Sequence, residues 1–97
     1  MTSNYEDAKE AIRLIGGDEV MTRIKARNVE SCDGGVQFEV PLLGGRVNVR
    51  IVRAPKCWDL HIDGSVLYHG PQKLDELSDE DLGPAFQSIF LWPKGSL

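Results

Sequence analysis

The sequence predicts an α+β domain in which two helices cover one face of a five-stranded antiparallel meander. Three observations carry that expectation. Tyr5, Ala8, Ile12 and Ile15 recur at helical spacing. Residues 36–52 alternate apolar and polar across the Gly44-Gly45 pair. Ser78, followed by Asp79, Glu80 and Asp81, opens a second apolar helical stripe. With 97 residues, the chain fits one domain, 1–97, large enough to bury a single core without disulfides.

The first helix starts at Ser3-Asn4-Tyr5-Glu6, a capping-box pattern, and Gly16-Gly17 supplies its stop. Residues 20–31 contain good helix formers. They also alternate, with Val20, Thr22, Ile24 and Ala26 against Met21, Arg23, Lys25 and Arg27, and they read as the first strand. A three-residue Cys32-Asp33-Gly34 loop then sets Ala26 opposite Val40, Ile24 opposite Leu42 and Arg27 opposite Glu39.

A two-residue Gly44-Gly45 turn joins strands 36–43 and 46–53. It pairs Phe38 with Ile51, Val40 with Val49, Leu42 with Val47 and Glu39 with Arg50. A turn centred on Pro55-Lys56 leads into strand 57–62, with Ile51 opposite Leu60 and Val49 opposite Ile62. Asp63-Gly64 is a type I′ signal, leading to strand 65–69 with Leu60 opposite Leu67 and Asp59 opposite Tyr68. Leu82, Phe86, Ile89 and Phe90 form the apolar stripe of the last helix. Pro84 either kinks that helix or begins a shorter one, and Pro93 ends it.

Hydrophobic content of 41% and charged content of 27% are ordinary for a folded protein. The apolar runs fall far short of a membrane span, and the acidic start lacks a signal-peptide pattern; the expectation is a cytoplasmic protein with no membrane contact. Cys32 and Cys57 are then expected as reduced thiols. The net charge of −4 argues against a nucleic-acid module. Arg23, Lys25 and Arg27 form a basic cluster that, with Arg50, would suit weak nucleic-acid binding, but the acidic run from Asp75 to Asp81 disfavours it.

No motif in the chain specifies an activity. Neither a GxxxxGK[ST] nor a GxGxxG pattern occurs, so the glycine pairs read as turns; without Cys-x-x-Cys or paired histidines, no metal or cofactor is implied. The strand period instead places Arg27, Glu39, Arg50, Asp59, His61 and Tyr68 on the open face of the sheet. An Arg27–Glu39–Arg50 charge ladder explains part of that pattern. The same residues also form a recognition surface, with Arg50 and His61 suited to an anionic group and Tyr68 to a flat contact.

The leading expectation is a non-catalytic binding or adaptor domain that engages a protein partner, or a second copy of itself, through this face or an edge strand. Phe90 and Trp92 offer a further aromatic anchor, although closing the core explains them more simply. The alternative is a small-molecule-binding or thiol-dependent enzyme, with Cys57 as nucleophile and His61 or His69 as base, sited between sheet and helices.

Overall fold

The computed structural model describes residues 3–42, 45–64 and 74–90. Its element order is α1 (Ser3–Ile15), α2 (Gly17–Arg23), β1 (Arg27–Cys32), β2 (Gly35–Leu42), β3 (Gly45–Arg53), β4 (Trp58–Asp63) and α3 (Asp79–Phe90). The fold is α+β with an antiparallel sheet in the order β1-β2-β3-β4. Among the described residues there are three helices and four strands, rather than the two and five expected.

The expected strand over 20–31 is the main correction. Val20, Met21 and Ile24 are all buried, which is the spacing of one helical face and breaks strand alternation. Gly16, at φ 128, lets α2 begin immediately after α1, and a side chain there would strike Val20. Asp18 and Glu19 occupy the first turn, where the helix dipole favours acids.

The end of α2 is a Schellman motif. Lys25 takes φ 61, its N–H donates to Thr22 O at 3.1 Å, and Ala26 N–H donates to Met21 O at 3.1 Å. The strand starts only after this cap. Ile24 therefore packs in the core from the helix end, and the expected Ile24–Leu42 and Ala26–Val40 pairs do not form.

Arg27 does face Glu39, as expected, but Glu30 then faces Gln37, so β1 holds one extra residue as a bulge. Asn28 accommodates it at φ 55, a conformation that asparagine tolerates better than most residues. The bulge also shortens the loop to Asp33-Gly34, closed by Cys32 opposite Gly35.

In the next hairpin the register differs by two residues from that expected. Phe38 faces Val49, Val40 faces Val47, Glu39 faces Asn48 and Leu42 faces Gly45. The turn therefore does not centre on Gly44-Gly45. Because side chains alternate with period two, this shift changes every partner and leaves every face intact. Pro41 is tolerated because it lies beyond Arg27–Glu39, the last pair with β1. The β3–β4 register agrees with expectation: Ile51 faces Leu60 and Val49 faces Ile62.

The expected strand 65–69, including Tyr68, lies outside the described residues. The outer edge of β4 is bonded by the 74–77 segment. Trp58 N–H donates to Leu77 O at 2.7 Å, Leu77 N–H returns a bond to Trp58 O at 2.8 Å, and Leu60 N–H donates to Leu74 O at 2.7 Å.

One continuous core lies between the sheet and the helices. Val36, Phe38, Val40, Val47, Val49, Ile51, Trp58 and Leu60 meet Ala8, Ala11, Ile15, Leu82, Ala85, Phe86 and Ile89. Phe86 packs edge-on to Phe38 at 6.0 Å and against Phe90 at 4.7 Å. Helix α3 runs continuously through Pro84, which is exposed, while Gly83 faces α1 so closely that a Cβ would lie 2.4 Å from Leu14 O.

Polar bonds fix the helix ends. Ser78 Oγ accepts from Asp81 N–H at 3.1 Å and so caps α3. Gln87 Nε2 donates to Ile15 O at 2.9 Å, satisfying a carbonyl at the end of α1. Trp58, fully buried, donates its indole N–H to Asp79 Oδ1 at 2.7 Å, and the Arg53 guanidinium sits 4.9 Å from its ring centre. Asp79, at the start of α3, thus has a structural role.

Candidate functional site

The described helices pack on one side of the sheet, and the strand residues of opposite parity face away from them. The pairing register arranges them in cross-strand rows. Glu30, Gln37, Arg50 and His61 form one row across β1 to β4, and Glu39, Asn48 and Asp63 form the next. Together with Asn28 they line a concavity of ≈ 440 Å³ whose floor includes Phe38 and Val49. The bulge contributes directly, because the extra residue brings Asn28 toward Glu39 and sets Glu30 into the row of Arg50.

The expected Arg27–Glu39–Arg50 ladder is replaced by a different one. Glu39 Oε1 accepts from Asn28 Nδ2 and from Arg46 Nη1, each at 3.1 Å. The two-residue register difference brings Arg46 within reach, and the bulge substitutes Asn28 for Arg27. The Arg50 guanidinium is thereby left without a hydrogen bond or ion pair to any other described residue. Its neighbours are the Gln37 amide on β2, the His61 imidazole on β4 and the Asn48 amide two residues along β3.

Of the site residues read from the sequence, Glu39, Arg50 and His61 line the concavity. Arg27 is exposed beside it, opposite Glu39. Asp59 is elsewhere: its carboxylate accepts from Glu76 N–H at 3.0 Å, holding the Leu74–Leu77 segment whose Glu76 takes φ 58. Tyr68 lies outside the described residues. Gln37, Asn48 and Asp63 were legible from strand parity alone, whereas Asn28 and Glu30 depend on the bulge.

The alternative thiol site is not assembled as a unit. Cys57 precedes β4 and borders a separate depression with Arg53, Lys56, Ser78, Asp79 and Glu80. His61 stands four residues further on, about 13 Å along an extended strand, beyond a direct thiol–imidazole bond. His69 lies outside the described residues. The Cys32 thiol is pushed up by burial, which Arg50 only partly offsets, so its nucleophilic thiolate is disfavoured.

Arg23, Lys25 and Arg27 sit on the last turn of α2, its αL cap and the start of β1, so they do not form the single strand stripe expected. Among the described residues, no three His, Cys, Asp or Glu side chains group to hold a metal ion, and no helix is long and apolar enough to cross a membrane. Comparisons with protein-family models, curated protein sequences and solved structures return no match to this chain.

Proposed function

We propose that this chain is a non-catalytic binding domain whose open sheet face receives a polypeptide partner. The observation that carries the reading is Arg50, whose guanidinium has no partner among the described residues and lines a ≈ 440 Å³ concavity with Gln37, Asn48 and His61 around it. Arginine suits planar recognition of a carboxylate, and amide and imidazole neighbours supply further hydrogen bonds. The polar lining and shallow form favour a surface contact over an enclosed apolar substrate site.

Support for the face over the sheet edges comes from the edges themselves. The outer edge of β4 is bonded at Trp58 and Leu60, and β1 is broken by a bulge and carries Arg27 and Glu30, features that discourage strand addition. The face carries charges of both signs, which also makes a second copy of the chain a chemically suitable partner.

Selection of random displayed peptides on the immobilised full chain tests this reading. Enriched peptides should lose binding to Arg50→Glu and keep it with Asp18→Lys, an exposed change on α2. No enrichment, or enrichment indifferent to Arg50→Glu, would overturn it. Sedimentation of the same variants over a concentration series separates self-association from recognition of a foreign segment.

A further inference from the structure

Resting on that reading, the charge order across the open face defines the partner's chemistry: we infer that it takes an extended segment with an acidic residue flanked, at alternate positions, by two basic ones. The central position follows from Arg50. Its donor-rich surroundings fit a carboxylate and would leave a cation unpaired against like charge.

The flanking positions follow from Glu30 and Asp63. Neither carboxylate forms a hydrogen bond or ion pair with another described residue, and they lie on opposite sides of Arg50. Glu30 shares the row of Arg50 two strands away, about 9.6 Å at the usual strand spacing. Asp63 lies one strand and one row away in the other direction, roughly 8 Å by the same spacings.

Alternate side chains of an extended segment project to one side about 6.8 Å apart, and lysine or arginine stems cover the remaining reach. An oblique path from Glu30 over Arg50 to Asp63 therefore reads basic, any residue, acidic, any residue, basic. Glu39 competes less for the flanking cations, because Arg46 and Asn28 already bond its Oε1 and the Arg46 guanidinium pairs with its charge. The reversed order, acidic-x-basic-x-acidic, would place like charges together at all three positions.

The test titrates the isotopically labelled full chain with the capped peptide Gly-Lys-Ser-Glu-Ser-Lys-Gly and, separately, with Gly-Glu-Ser-Lys-Ser-Glu-Gly, following amide chemical shifts. The first should give saturable shifts across β1 to β4, weakened about tenfold or more by Arg50→Ala and at high salt. Glu30→Gln and Asp63→Asn should each weaken it roughly threefold, as rim charges do. The dispersed spectrum of each variant verifies that it is folded.

Equal binding of the two peptides overturns the charge order. So does silence from both while displayed peptides of another pattern still bind in an Arg50-dependent way, and the binding-domain reading then survives. If no displayed peptide binds the face at all, both fall.

Discussion

Removing the Asp79 carboxylate should expose how the last helix is fastened to the sheet. Trp58 is fully buried, and its indole N–H has a 2.7 Å bond to Asp79 Oδ1. A hydrogen bond to a charged acceptor contributes about 1.5–3 kcal/mol, and its loss leaves a buried donor unsatisfied. Asp79 is also the first residue of α3, where an acid adds about 0.3–1 kcal/mol through the helix dipole.

Asp79→Ala should therefore cost about 2–3.5 kcal/mol, and Asp79→Asn, which keeps an acceptor oxygen, about 1 kcal/mol. Glu80→Ala is the control. It loses only the dipole contribution, under about 1 kcal/mol. Urea unfolding followed by far-ultraviolet circular dichroism measures all three, and for a domain of this length the alanine variant's Tm should fall by roughly 10–20 °C. Equal losses for Asp79→Ala and Glu80→Ala would refute the reasoning, since the indole bond would then contribute nothing.

Gly83→Ala should destabilise by about 1–3 kcal/mol through a clash with Leu14 O, although helix propensity alone would stabilise by about 1 kcal/mol; the sign of the Tm change decides. Lys25→Gly should stabilise by about 0.5–1 kcal/mol, because glycine suits the αL cap of α2, whereas a strand at this position would be weakened; thermal unfolding reads the difference. Gln87→Ala should cost about 0.5–1.5 kcal/mol in urea unfolding by removing the donor to Ile15 O. Burial raises the folded-state pKa of Cys32, so its contribution is intact below the ordinary thiol value and is lost as pH climbs past that value toward the raised one. Stability measured across alkaline pH should accordingly fall less steeply in Cys32→Ala.

The faces of the sheet were readable because parity survives errors of two residues. Phe38, Val40, Val47 and Val49 point inward in either register of the second hairpin, while their partners, and with them the ion pairs of Glu39, depend on which two residues make the turn. Arg50 falls on the open face in either register for the same reason, but its separation from Glu39 depends on the actual register.

Other features were hidden because they depend on single backbone conformations. Val20-Met21-Thr22-Arg23 satisfies both a helix and an alternating strand, and the decision rests on Lys25 entering αL, a conformation that lysine does not advertise. Asn28 similarly conceals the bulge that shapes one wall of the concavity. The cover over β4 arises from contacts between distant residues, Asp59 with Glu76 and Trp58 with Leu77, which no local pattern predicts.

One face of the sheet holds the fold together and the other is proposed to bind, and the combined variant Gln37→Ala/Arg50→Ala/His61→Ala tests that division most directly. Measured side by side, its unfolding free energy should stay within about 1.5 kcal/mol of the parent, at roughly 0.5 kcal/mol for each surface change, while binding of face-selected peptides is lost. A variant that unfolds far more readily, or one that retains full peptide affinity, would contradict it.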